Sequence, residues 1–438
     1  MERPWASGFG GRLLSKYRRA GWSVIDQSIV SAANFLSILL LARFLPPAQF
    51  GVFVLAHTGL LLLTSLQTSL VTQPHNILGA KLAAQEYRRF TGALLAVQLA
   101  AGVLVCLILA LAGVVTRRYF SAEAGGALLA LSLAAPPWMA QEFVRRVLYT
   151  RSESRSAAVN DLLSYGLQLL GVGLLVRHGG PELLKASSAL LIFGASSLAA
   201  LLLGLWQLRG HLGFEARAFG QRLRAVWAQV WEFGRWLLAQ NVVTWMGANG
   251  HAWVVGALLG AESVGLYRAA IHLVNIINPL RQAAFAYLPA RASVAFQASG
   301  HAGLAHWVKH VSARLFLPLA PVAVVLIVLP EQVLGLVYGG KFAGLGLGAI
   351  LALATVAQII AFLKFPMEVA VMSMGSPRSL FLVNLLPVAL LMTAGVALIV
   401  ALGIWGVPLS SILISSVLFL STWLVYRRLV NPALPAAA

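Results

Sequence analysis

Leu94–Val115 reads LLAVQLAAGVLVCLILALAGVV, 22 residues without a charge. As a helix rising 1.5 Å per residue it spans about 33 Å, enough to cross the roughly 30 Å of hydrocarbon in a bilayer. No soluble core asks for such a run, and it is one of many. Only 10% of the 438 residues are charged and 59% are hydrophobic, where a soluble domain carries about a quarter charged residues. The chain is therefore read as an all-α polytopic membrane protein. Apolar windows predict about twelve transmembrane helices, near 22–43, 51–73, 92–115, 125–144, 157–176, 186–207, 236–259, 265–287, 312–333, 344–363, 380–402 and 406–426. The fourth, interrupted by Pro136 and Pro137, is expected to be the least regular. What precedes the first helix is basic but lacks the short apolar core of a cleavable signal.

Orientation follows from the basic residues. With the N-terminus inside, 24 of the 32 Lys and Arg fall in cytoplasmic segments and seven in outer loops, which predicts a multi-pass protein of the inner membrane with both termini in the cytoplasm. The net charge of +19 thus points to membrane lipids as partners and not to nucleic acid. The longest inner connection carries Phe219, Leu223, Trp227, Val230 and Trp231 at helical spacing between arginines, the pattern of an amphipathic helix lying on the leaflet. The expected organisation is a basic tail (1–21), a six-helix lobe (22–208), this cytoplasmic amphipathic linker (209–235), a second six-helix lobe (236–426) and a C-terminal tail (427–438).

The two lobes echo one another. LPPAQFGVFVLA at Leu45–Ala56 and LGAESVGLYRAA at Leu259–Ala270 lie 214 positions apart, and the same offset pairs Trp22 with Trp236 and Gly51 with Gly265. Each phrase joins the first and second helix of its lobe. Six is even, so both lobes enter the membrane the same way round, as a parallel pseudo-two-fold repeat. Transporters commonly place their substrate where such repeats meet.

DQSIVSAANFLSILLLARFLPPAQFGVFVLA at Asp26–Ala56 resembles the opening of the polysaccharide-biosynthesis oligosaccharide flippases. These are Wzx-type members of the multidrug/oligosaccharidyl-lipid/polysaccharide (MOP) exporter superfamily. QEFVRRVLYTRSESRSAAVNDLL (Gln141–Leu163), LVYGGKFAG (Leu336–Gly344) and GIWGVPLSSILISS (Gly403–Ser416) are similar in style and spacing. The resemblance implies two six-helix bundles around a central cavity. It also implies movement of a polyprenyl-diphosphate-linked oligosaccharide from inner to outer leaflet. The lipid II flippases of the same superfamily usually have fourteen spans, so twelve argues mildly against that branch.

Polar residues inside spans are the candidate cargo contacts, because polar groups facing lipid are costly. On the first helix Gln27, Ser31, Asn34 and Ser37 form one stripe. The second carries Thr64, Thr68, Thr72 and His75, and the seventh carries Asn241, Thr244 and His251. The eighth is the most polar, with Arg268, His272, Asn275, Asn278 and Gln282 on one face and Arg281 beside the last. Hydrogen bonding between helices is the alternative use of each stripe. Arg145, Arg146 and Arg281 are candidates to hold a diphosphate through the planar guanidinium fork, with snorkelling to the leaflet as the alternative. Asp26, Glu142, Asp161 and Glu368 near the inner face are candidates for ion coupling or for a closed-state latch, and Asp26 is expected to pair with one of those arginines.

Enzymatic signatures are missing from the sequence. GLGLG at Gly344–Gly348 opens a span with no strand before it, GGK at Gly339–Lys341 lacks the following Ser or Thr, and one cysteine, Cys106, makes no paired-cysteine metal site. No catalytic residue, metal or cofactor is expected. The reading is a flippase working by alternating access, beside glycosyltransferases and a polymerase that build a surface polysaccharide. Its rivals are an ion-coupled exporter of amphipathic cations, which calls for an acid-rich site, and a lipid II flippase.

Overall fold

Hydrocarbon leaves a backbone N–H or C=O no partner outside its own helix, and every regular element among the described residues is helical. In the computed structural model the described residues are 27–430 apart from 152, 181, 214–218 and 343, with the backbone alone at 219, 221–222, 278–280, 282–283, 285–287, 290 and 377–378. Asp26, Trp22, the N-terminal tail and residues 431–438 lie outside them.

The elements are α1 (Gln27–Phe44), α2 (Pro47–Gln67), α3 (Ala84–Tyr119), α4 (Ala122–Thr150), α5 (Ser154–His178) and α6 (Ala186–Leu208). Then come α7 (Phe219–Val274), α8 (Asn278–Val328), the short α9 (Pro330–Tyr338), α10 (Leu347–Ser373), α11 (Pro377–Leu390), α12 (Val396–Leu402) and α13 (Gly406–Val430). Nine stretches among the described residues are long and apolar enough to cross a bilayer. Two of these, Leu223–Ile277 and Ser379–Val430, have 55 and 52 residues and turn back on a glycine in the left-handed region, Gly260 (φ 82°) and Gly403 (φ 60°). Adding α4, whose 29 residues are diluted by Gln141, Glu142, Arg145 and Arg146, brings the crossings to the expected twelve.

The chain divides into two compact units, Met1–Trp245 and Met246–Ala438. In the first unit α4 is the hub, packed most extensively on α3 and α6. Phe143, Val144, Val147 and Leu148 of α4 share a core with Phe90 and Leu94 of α3 and Leu208 of α6, all buried. This packing corrects the expectation of an irregular fourth span: α4 runs unbroken through Pro136 and Pro137. Two flanking helices hold the backbone in place, and membrane helices tolerate proline where neighbours re-satisfy the freed carbonyls.

The approach of α4 and α6 depends on one small residue. A Cβ added to Gly194 would lie 2.6 Å from the Ala134 Cα and 2.7 Å from its Cβ, and neither atom can move without its helix. Gly194→Val is therefore expected to destabilise the first unit by about 1–3 kcal/mol, the usual cost of overpacking a close helix contact. A thermal melt of the purified protein checks this, with Gly173→Val, where an added Cβ meets nothing within 4 Å, as the control.

Local chemistry shapes the ends. Pro74 lacks a backbone donor, and the helix on either side of it widens to π-turns at Thr68–Thr72 and His75–Gly79. The connection after α6 returns to α3 through Gly213 N–H donating to the Arg88 carbonyl at 3.0 Å. From Phe219 the linker is helical and continuous with the next crossing. It is two-faced: Val226 and Val230 join the core of the first unit, while Trp227 and Trp231 stay exposed with rings stacked 6.2 Å apart.

The second unit repeats the internal pattern, with α10 packed most on α13 and α8. Its core joins Phe365, Val369 and Ala370 of α10 to Leu288, Leu304 and Val308 of α8. Two polar ties hold its connections. The Tyr338 hydroxyl donates to the Ala269 carbonyl at 2.9 Å, and Glu331 accepts from the Gly348 N–H at 3.0 Å, satisfying a helix-start donor.

Candidate functional site

Each unit holds a polar cluster, and the two differ in charge. In the first, helical spacing sets Gln141, Glu142, Arg145 and Arg146 on consecutive turns of α4, and α5 presents Asn160 and Asp161 to them. Arg145 Nε donates to Asp161 Oδ2 at 2.5 Å and Nη1 donates to Glu142 Oε2 at 3.2 Å. Arg146 Nε donates to Glu142 Oε1 at 2.8 Å. The side chains of Arg145 and Asp161 are 8% and 0% exposed. Gln141 Nε2 reaches Asn160 Oδ1 at 3.1 Å and Asp161 Oδ1 at 3.3 Å, and Asn160 Nδ2 donates to the Ala200 carbonyl of α6 at 2.6 Å. Two guanidiniums and two carboxylates leave this cluster formally neutral. Buried charges persist only when paired and hydrogen-bonded in this way.

A ladder along α5 links the cluster to the first helix. Tyr165, one turn beyond Asp161, shares a hydrogen bond with Asn34, and Gln168 Nε2 donates to Ser37 Oγ at 3.1 Å. Gln27, at the start of α1, is exposed. The threonines of α2 and the π-turn after it bond backward instead: Thr64, Thr68 and Thr72 donate to the carbonyls of Leu60, Thr64 and Thr68. Asn241 Nδ2 donates to Ser69 Oγ at 2.7 Å within the same unit.

In the second unit's cluster no carboxylate pairs with the arginine among the described residues. Arg268, half-buried on α7 beyond the Gly260 break, donates from Nη2 to Asn249 Oδ1 at 3.0 Å. Its partner is neutral. His251 lies within electrostatic reach of it and hydrogen-bonds Ser410 Oγ at 2.9 Å. His272, 8% exposed, and Asn275 follow Arg268 along the same helix, with Asn275 opening the short turn Asn275–Ile277. Arg281 is exposed on α8. Thirteen residues separate it from Arg268, about 20 Å along a helix. The side chains of Asn278 and Gln282 lie outside the described residues. Glu368 is tied within its own helix, accepting from Lys364 Nζ at 2.7 Å.

Several contributors were not singled out by the sequence reading. Asn249 is one, and Gln141, Asn160, Tyr165 and Gln168 are others. The last two were findable, since Asp161, Tyr165 and Gln168 fall at spacings of four and three on one face of α5.

Two compact helical units, together making twelve crossings and each holding a polar cluster, have the build of a multi-pass membrane transporter. Solved structures share the fold. A multidrug resistance MATE family transporter of the MOP superfamily, in an inward-facing conformation, matches with a TM-score of 0.72 at 13% identity, over 95% of this chain and 100% of that one. The lipid II flippase MurJ in an inward closed conformation matches with a TM-score of 0.68 at 13% identity, over 92% of this chain and 86% of that one. A MOP superfamily transporter from Pyrococcus furiosus, described with a binding pocket of reversed polarity, gives 0.61 at 14% identity over 94% and 95%. No curated protein matches by sequence. The polysaccharide biosynthesis protein family matches residues 40–345, and the chain belongs to that family, within the MOP superfamily fold.

Proposed function

We propose that this protein flips a polyprenyl-diphosphate-linked oligosaccharide from the cytoplasmic to the outer leaflet of the inner membrane, for assembly of a surface polysaccharide. The observation that carries the reading is Arg268, a half-buried guanidinium in a membrane-crossing helix whose hydrogen-bond partner is a neutral amide. A charge held in hydrocarbon calls for a counter-charge. In the first unit carboxylates of the protein supply it; at Arg268 a diphosphate of the cargo does, through two parallel N–H···O bonds. Arg281, exposed about 20 Å away on the same crossing, is a second station for the headgroup.

The neutral cluster of Arg145, Arg146, Glu142 and Asp161 serves as the latch or coupling element of alternating access, driven by an ion gradient or the membrane potential. It performs no covalent chemistry, so the protein acts as a transporter and not as an enzyme. Glycosyltransferases supply its cargo and a polymerase consumes it. An exporter of amphipathic cations would need an unneutralised acid. Both embedded acids of the first cluster are already matched by arginines, which favours the anionic cargo.

Depletion in cells that make the glycan, followed by lipid extraction and leaflet-selective labelling, tests this. Completed carrier-linked oligosaccharide is expected to accumulate on the cytoplasmic leaflet. Unchanged lipid-linked pools together with altered sensitivity to cationic drugs would establish the exporter instead.

A further inference from the structure

A crevice of about 640 Å³ opens in the first unit where α2, α3 and the start of α7 meet. Its walls are apolar, built from Leu63 and Leu66 of α2, Leu70 of the π-turn that follows, and Leu104 of α3. Leu104 is 58% exposed and belongs to a run on α3 with Val103, Leu107, Ile108 and Leu111, all exposed, so the crevice opens toward the bilayer. Arg224 and Trp227 of α7 also line it, and both are exposed.

Two amides lie directly behind this apolar wall. Gln67 Nε2 donates to the Met139 carbonyl at 2.7 Å, which leaves its Oε1 buried and unbonded. Gln98 is 1% exposed, and neither Nε2 nor Oε1 has a partner. An amide left unpaired in hydrocarbon is costly, so these two side chains suit a ligand that carries hydrogen-bonding groups in among apolar ones.

We propose that this crevice seats one acyl chain of a glycerophospholipid, with the phosphate on Arg224 and an ester carbonyl accepting from the Gln98 amide once that buried, unpartnered side chain turns outward. Guanidinium, amide and leucine wall match the three chemical zones of such a lipid. A prenyl chain is hydrocarbon throughout and would leave both glutamines unsatisfied, so the amides favour an ester lipid over the tail of the transported carrier. The second unit repeats the arginine and the leucine wall, without an amide, on a smaller scale. There a crevice of about 360 Å³ between α11 and α13 is lined by Leu382, Leu386 and Leu424 together with Ser421 and Arg428. The inference does not depend on what the protein transports.

The test irradiates the full-length protein in nanodiscs containing phosphatidylglycerol with a diazirine on one acyl chain, and maps the label by peptide mass spectrometry. Label is expected to concentrate on residues 63–71 and 97–105. Gln98→Leu and Arg224→Gln should each lower it by about five- to tenfold, the effect of losing one charged or polar anchor. Ala101→Trp, which fills the crevice, should remove it. Label spread evenly along the exposed face of α3 as far as Leu111, or label undiminished in both Gln98→Leu and Arg224→Gln, overturns the proposal. So does labelling by a diazirine polyprenyl phosphate alone, which would make this a cargo site. Arg224 is exposed, so its variant reports on binding even where Ala101→Trp fails to fold.

Discussion

Arg268→Gln will lower flipping by about ten- to a hundredfold while the protein still folds and inserts. A hydrogen bond to a charged group contributes about 1.5–3 kcal/mol, and the cargo diphosphate is the proposed counter-charge for this guanidinium. Arg268→Lys should fall between wild type and glutamine, because it keeps the charge and loses the fork. Asn249→Ala removes the neutral partner seen in the structure and should cost much less than either. The measurement is complementation of a depletion strain, with carrier-linked oligosaccharide quantified on each leaflet and the melting temperature as a folding control. Full activity in Arg268→Gln would remove the central support for an anionic cargo.

The second large effect belongs to the first unit. Asp161→Ala leaves Arg145, 8% exposed, with half its compensation gone, and breaking a buried pair from one side costs about 3–5 kcal/mol. The expected outcome is a marked fall in melting temperature. Arg145→Met combined with Asp161→Leu should recover most of the lost stability, since the penalty lies in the stranded charge and not in the absent bond. If the double variant is as stable as wild type yet inactive, the pair works as a latch or coupling element. If it is stable and active, the pair serves the fold alone.

The two predictions separate what was legible in the sequence from what was not. Asp161 and Arg145 are 16 positions apart, and nothing in their spacing says that α5 lays one against the other. The sequence grouped Arg145 and Arg146 with the diphosphate candidates, and Glu142 and Asp161 with the coupling candidates. The structure brings all four into one cluster. Asn34 and Ser37 were read as a stripe; that they meet Tyr165 and Gln168 depends on how α1 is rotated against α5. Pro136 and Pro137 show the same limit, because local propensity makes the fourth span the least regular and packing on α3 and α6 overrides it.

The solvent, the helical class, the twelve crossings and the duplicated phrases at Leu45 and Leu259 could all be read along the chain. Each rests on a property that residues express locally: a backbone in hydrocarbon must satisfy itself within its own segment, so apolar length alone dictates a helix. Which arginine meets carboxylates and which meets a neutral amide is settled between helices. That choice turns on the faces brought together by contacts such as Gly194 against Ala134, and on breaks such as Gly260. Coulomb interactions and close packing act through space, and only the folded units determine those distances.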